Sequence, residues 1–336
     1  MPARRVATIA DVAREAGVSR QTVSNVLNSP EIVRESTRQR VRAAVDALSY
    51  SPNTVARNLR TRRTSTIGVR LDAYSGGISG VVLDRFVHAL TEQAASLGLR
   101  VLLYVARTLE EELDRIDELA DGAEVDAVVL TGTNSVDCRA ARLRKRNIPF
   151  VAFGRPWWAD DVDRAGHPWV DVDGAAGVRN ATRNLLAQAG ERVAFLGWPP
   201  DSGTGDDRER GWREVIGDRA GGSSAPRLIS IDGAPEGQVQ ARALLEKTAV
   251  DAIVCASDAL AIGARLASVE AGKPDLPIVG FDNTAAAESL GVSSIEQLPE
   301  KIVAEILDML TDQAAPAVIR QSEPEGRLIE PRIVWR

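Results

Sequence analysis

The sequence predicts a small all-α helix-turn-helix unit followed by a larger α/β core of two lobes, each a parallel sheet covered by helices. Three observations carry that expectation. Apolar residues near the start recur at helical spacing on both sides of Gly17, which can take the left-handed conformation that ends a helix. From Thr66 onward, short apolar runs alternate with helical stretches, and the scheme occurs twice. Charge divides between the two parts: through Arg63, twelve arginines face five carboxylates, giving +7, and the other residues carry −13 of a total of −6. One end is suited to phosphate and the rest repels it.

Ile9, Val12, Ala13 and Ala16 form the first apolar stripe, with Thr8 placed to cap its start. Val18, Thr22, Val23, Val26 and Leu27 form the second, with Ser19 as its cap. A steep crossing buries one face of the second helix and turns the other outward, and that outer face carries Arg20, Gln21, Ser24 and Asn25. Ser36-Thr37 leads into a third helix whose stripe is Val41, Ala44, Val45 and Leu48. Pro52 breaks the pattern, and 53–59 reads as one further short helical turn before the basic "RTRRT". Seven residues are too few for a stable helix in water, because nucleation outweighs so few hydrogen bonds. Periodicity alone also fits a pair of ordinary packed helices.

The residues themselves narrow the choice. "TIADVAREAGVSRQTVSNVLN", "TRQRVRAAVDALSYSPNTVARNL" and "STIGV" resemble the start of the LacI/GalR family of bacterial transcription regulators, with spacing intact over roughly sixty residues. The resemblance implies that the second helix enters a major groove with Arg20, Gln21 and Asn25 reading bases. Arginine suits guanine, and Gln or Asn suits adenine. Thr8, Ser19, Thr22, Ser24, Asn28 and Tyr50 are the expected phosphate contacts, which orient without reading sequence. The hinge, with Asn53, Ala56, Arg57 and Leu59, is implied to fold on DNA beside its twin from a second subunit, Leu59 wedging into the minor groove. A capping contact against the core is the other reading of Leu59.

In the core the expected strands are "IGVRL", "RVLLYVA", "VDAVVLTG" and "PFVAFG", then "RVAFLGW", "RLISI", "AIVCASD" and "PIVGFD", with helices between them. The resemblance extends over these and implies a periplasmic-binding-protein-like core of two Rossmann-like lobes. The expected domains are 1–50 for the helix-turn-helix, 51–65 for the hinge and 66–336 for the core. Within the core, one lobe takes about 66–166 plus 294–324 and the other about 167–293 plus 325–336. Sites in such sheets gather at the carboxyl ends of strands.

Matching by position implies effector contacts from Arg155, Arg208, Asp258 and Asn283. Trp157 and Trp158, directly after Gly154-Arg155-Pro156, read as stacking faces suited to a sugar, with a core or interface role an equal reading of each. Asp173 also matches a family position, and for both Asp258 and Asp173 a helix cap or a salt bridge to the other lobe is the other reading. Trp169, Trp198 and Trp212 lie in or beside expected loops, where core packing is an equal reading. His167 is an expected edge donor or a structural histidine.

Chemistry of other kinds is missing. The sequence has no GxSxG elbow, phosphate loop or HExxH helix, and "SGGISG" from Ser75 to Gly80 fails as GxGxxG. With His88 and His167 alone, acid–base work would fall on carboxylates, so a non-enzyme with no cofactor and no metal is expected. Cys138 and Cys255 form no CxxC pair and read as buried small hydrophobes. "MPARRVATIADV" lacks a secretory pattern, and no later stretch approaches the roughly 20 apolar residues of a span, which predicts a cytoplasmic, nucleoid-associated protein without a membrane partner. The expected partners are double-stranded operator DNA, a small effector such as a sugar, and a second copy forming a homodimer. Three alternatives stand beside this: a regulator answering a nucleobase or protein corepressor, a sugar-binding sensor or transport protein without operator specificity, and, last, an enzyme that turns over a bound sugar.

Overall fold

A computed structural model describes residues 7–28, 30–50, 64–71, 80–134, 137–157, 166–217 and 225–336. The expected hinge contacts Asn53, Ala56, Arg57 and Leu59, the stacking residue Trp158 and most of the "SGGISG" loop lie outside the described residues, as does the side chain of Asn28. The chain divides between Arg63 and Thr64 into two compact units.

The first unit holds α1 (Ile9–Ala16), α2 (Arg20–Asn28), a single 3-10 turn (Pro30–Ile32) and α3 (Glu35–Ala47). The Thr8 side chain accepts from the Asp11 amide while Asp11 bonds back to the Thr8 amide, a reciprocal capping box. Gly17 takes φ 62° and ψ 41°, and Val18 N–H donates to Ala13 C=O at 3.0 Å, closing the helix end. Ser19 caps α2 through a 3.0 Å bond from Thr22 N–H. α3 takes in the expected Ser36-Thr37 lead-in, starting at Glu35 with no side-chain cap. Val12, Val23 and Val41 are fully buried where the three helices meet.

The second unit carries two six-stranded sheets. In the first lobe, β1 (Thr66–Leu71), β2 (Arg100–Val105), β3 (Ala127–Leu130), β4 (Phe150–Phe153), β5 (Trp169–Val172) and β13 (Gly326–Ile329) lie in the order 13-5-4-3-1-2, every pair parallel. The second lobe has β6 (Val193–Gly197), β7 (Arg227–Ile229), β8 (Ala252–Cys255), β9 (Ile278–Phe281), β10 (Ser293–Glu296) and β14 (Arg332–Val334) in the order 14-10-9-8-6-7. Its one departure from the parallel expectation is β14, which runs antiparallel along β10. A short hairpin of β11 (Thr311–Asp312) and β12 (Ala315–Ile319) stands apart.

The interior strands β3, β6, β8 and β9 are buried at every position, as strands covered on both faces must be. The connecting helices are α4 (Val81–Ser96), α5 (Leu109–Asp121), α6 (Arg139–Lys145), α7 (Gly174–Gln188), α8 (Thr204–Gly217), α9 (Ala234–Lys247), α10 (Asp258–Glu270), α11 (Ala285–Ser289) and α12 (Pro299–Leu310). Among the described residues, no helix is long and apolar enough to cross a membrane.

The chain passes between lobes three times: from β5 to α7, from β10 to α12, and from β13 to β14. This corrects the expected boundaries near 167, 294 and 325. β5 pairs with β4 and stays in the first lobe, β10 pairs with β9 and stays in the second, and β13 pairs with β5 and belongs to the first. Alternation of strand and helix reveals that a sheet exists but not which sheet a strand joins.

Candidate functional site

On α2, Arg20 and Gln21 are exposed and Asn25 and Ser24 half-exposed, so the outer face expected from the sequence is open to a partner. Gln21 Nε2 donates to Asn25 Oδ1 at 2.9 Å, one helical turn away. Ser19 and Thr22 hydroxyls lie 2.9 Å apart at the start of the same helix, where amides and dipole favour an anion. Thr8 is exposed but its hydroxyl already bonds Asp11 at 2.7 Å. Tyr50 is half-buried and packs on the three-helix core.

In the second unit a cavity of about 320 Å³ opens between the lobes. From the first lobe come Thr131 and Gly132 beyond β3, Phe153 and Gly154 at the end of β4, and Trp157. Asp171 and Val172 line it from β5, and Val82 and Leu83 from the first turn of α4. The second lobe contributes Gly174, Thr204, Asp207, Arg208, Phe281 and Gln297. The site thus sits at strand carboxyl ends, where open parallel sheets place ligands. A buried ion cluster fixes its floor. Glu112, with no exposure, binds Arg139 at 2.9 Å and Arg70 at 2.7 Å, and Arg139 Nη2 holds the Thr131 carbonyl at 2.9 Å.

Arg208 is the polar centre of the cavity. Its guanidinium carbon stands 3.7 Å from the centroid of Phe281 and 5.3 Å from that of Trp198. Nη1 donates to Ala256 C=O at 2.5 Å, Nη2 lies 3.9 Å from Asp282 Oδ1, and Nε is buried without a partner among the described residues. Burial pushes its pKa down. Two other buried polar atoms of the lining, Thr131 Oγ1 and Trp157 Nε1, are also without a partner among the described residues. Asp282 is buried, with φ 114°, and accepts from Gln297 Nε2 at 2.6 Å. Desolvation outweighs Arg208 and pushes its carboxyl up to about 7. Burial likewise raises Asp171.

The other expected contacts fare differently. Arg155 is next to the cavity but its fork is occupied by Asp171, Asp207 and the Val172 carbonyl. Asp258 does not face the cavity: fully buried, its carboxylate takes the Thr284 amide at 2.7 Å and hydroxyl at 2.9 Å, and the Ser294 hydroxyl at 2.5 Å. It knits α10 to the β9–α11 turn and to β10. Asn283 is turned away too, accepting from Arg336 at 2.5 Å. Asp173 caps α7 through the Ala176 amide at 2.9 Å.

Trp212 stacks on Phe195 and donates to Val193 C=O at 3.0 Å, and Trp169 is buried in the first lobe's core, so both are packing residues. His167 is buried against Phe150. Of the cysteines, Cys255 is buried and its thiol pKa is raised by desolvation, whereas Cys138 is exposed, contrary to expectation. Thr131, Phe153, Asp171, Asp207, Phe281, Asp282 and Gln297 were not singled out from the sequence, although the loops after "VVL", "VAF" and "PIVGF" pointed to several of them.

Comparison with known proteins adds to this geometry. Residues 8–53 match the model of bacterial regulatory proteins of the lacI family, and 182–336 match a periplasmic binding protein-like domain. The chain is 30% identical over 350 residues to the HTH-type transcriptional regulator CelR of Thermobifida fusca, covering 100% of this chain and 99% of that one. It is 31% identical over 300 residues to a ribose operon repressor of Halalkalibacterium halodurans, covering 86% of this chain and 85% of the other. A solved CelR–cellobiose complex superposes with a TM-score of 0.67 at 26% identity over 98% of both chains.

Proposed function

Because the chain belongs to the lacI family of bacterial regulatory proteins, we propose that it represses carbohydrate genes as a homodimer whose grip on operator DNA is switched by a sugar in the interlobe cleft. The observation that carries the ligand class is Arg208, whose unpartnered Nε is set between aromatic faces in a cavity that also holds unpaired Thr131 Oγ1 and Trp157 Nε1. Buried polar atoms left unpaired cost about 1–3 kcal/mol each, and a polyhydroxylated ring offers them partners while its CH faces rest on the aromatics. The volume falls within the ~300–1,000 Å³ of small-molecule sites, and the complex of the CelR relative with cellobiose supports the same class.

Arg20, Gln21 and Asn25 are the proposed base readers, with Thr8, Ser19, Thr22, Ser24, Asn28 and Tyr50 on phosphates. Asn53, Ala56, Arg57 and Leu59 are the proposed minor-groove contacts. A twofold pair of these units reads a near-palindrome with half-sites about one helical turn apart. Exposed Ile229, Ile231 and Val239, clustered round one depression of the second lobe, suit contact with a second copy.

The test is selection of duplexes from a random pool by the full chain, followed by titration of the winner with cellobiose and other neutral sugars. A near-palindromic winner, salt-dependent affinity and release by one sugar are expected. Binding that survives deletion of residues 1–60 would overturn the assignment.

A further inference from the structure

A cluster of charge is wound round the first crossing between the lobes. Arg155, just beyond β4, donates from Nε to Asp171 at 2.6 Å and from Nη2 to the carbonyl of Val172, the last residue of β5, at 2.7 Å. Asp207, in the first turn of α8, accepts from the amide of Ala175 at 3.0 Å and from Arg210 at 2.6 Å. One side chain therefore holds the lobe-1 end of the crossing and the other holds its lobe-2 end. Between them, Arg155 Nη1 and Nη2 reach Asp207 at 3.3 and 3.4 Å, longer than any of those side-chain bonds that each makes within its own lobe. Nearby, the Trp157 ring lies so close to Gly203 that a Cβ there would meet it at 2.7 Å, so the same short segment also packs on lobe 2.

The geometry points to Arg155 and Asp207 as the pivot contact that sets the angle between the lobes and carries the state of the cleft to it. Both residues are buried, at 9% and 7% exposure, so the pair is shielded from water. Separating it strands neither charge, because Arg155 keeps Asp171 and the Val172 carbonyl while Asp207 keeps Arg210 and the Ala175 amide. A buried pair with no such second partners would resist parting by several kcal/mol. This one can break and reform if the crossing rotates, as a lobe angle with two settings requires. Asp207 lines the cleft, as do Asp171 and Val172, which hold Arg155, so an occupant touches one half of the contact directly and the partners of the other, and biases it. The part of this inference that concerns the occupant rests on the sugar-switched reading above; the pivot does not.

Amide hydrogen exchange on the full chain tests the pivot without ligand or DNA. Asp207→Asn and Arg155→Met are each expected to speed exchange about tenfold at all three crossings, around 172–175, 296–298 and 329–332, and the double variant no further than either single. Arg155→Lys, which retains a charge for Asp171 but cannot fork to both carboxylates, is expected to give the same pattern and stands in should the others fail to fold. Acceleration confined to 172–175 in the variant that folds would show a local brace and overturn the pivot. For the second half, the wild-type-selected duplex is titrated with cellobiose as probe. Arg155→Lys, at a residue that does not line the cavity, is expected to hold the duplex and to keep its calorimetric affinity for cellobiose within a few-fold, while the duplex's response to cellobiose falls to within about twofold of none. An undiminished response in that variant sinks the coupling. A wild-type chain that ignores every sugar counts against the sugar-switched reading, while the exchange pattern still decides the pivot.

Discussion

Gln21 and Asn25 hold one another on the outer face of α2, Nε2 to Oδ1 at 2.9 Å. The bond leaves Gln21 Oε1 and the Asn25 amide protons for the proposed base contacts, on side chains already ordered. Asn25→Ala should therefore disable two readers at once, weakening the selected duplex by about 1–3 kcal/mol. Non-specific DNA binding and its salt slope should stay as in wild type, since no phosphate contact is lost. Fluorescence anisotropy against cognate and scrambled duplexes checks this, and an equal loss on both would remove Asn25 from base readout.

Thr8 has a structural task whatever it does on DNA, because its side chain and that of Asp11 close the start of α1 reciprocally. Thr8→Ala should cost the cap about 1 kcal/mol, and Thr8→Ser almost nothing. In the full chain, amide exchange at Asp11 and Val12 should then run about fivefold faster in the alanine variant alone. Equal rates in all three proteins would show the box to be idle.

These two cases show why the first unit was legible in sequence: Thr8, Gly17 and Ser19 act on neighbours within a few residues, and local spacing records such bonds. The interior strands of the core were legible because burial on both faces demands an unbroken apolar run, as in "AVVL" and "AIVC". β5 was not, since "WVDV" is four residues long with a carboxylate inside it. Nor did sequence tell that Arg155 is engaged, because its partner Asp207 lies 52 positions away. Asp258 is a related case. Its family position implied a ligand contact and its sequence equally allowed a structural role, and only Thr284 and Ser294, brought from separate elements, show what fills its acceptor sites.

Arg208 is clamped by shape as well as charge, between Phe281 at 3.7 Å and Trp198 at 5.3 Å. A lysine has no plane to stack and no fork to share between Ala256 and an occupant. Arg208→Lys should lower affinity for the effective sugar by at least about tenfold, roughly 1.4 kcal/mol. Operator affinity without sugar should change little. Calorimetric titration of the sugar, paired with the duplex assay, separates the two; unaltered sugar binding would place the ligand elsewhere.

Asp282 gives the core a pH dependence with a definite sign. Its burial, only partly offset by Arg208, raises the carboxyl from the usual carboxylate range to about 7. Between those values the folded chain keeps a proton that the unfolded chain has released. The contribution is thus full below about pH 4 and lost as pH rises through about 7. About three pH units of difference bound the loss at roughly 4 kcal/mol, an upper limit because a relaxing site admits water. Asp282→Asn keeps an oxygen for Gln297 Nε2, now 2.6 Å away, and has nothing to titrate. Urea unfolding at pH 5 and pH 8 should show the wild type losing more stability than the asparagine variant over that interval. Other groups titrate alike in both proteins and cancel in the comparison, so parallel pH curves would mean that Asp282 stays ionised in the folded core.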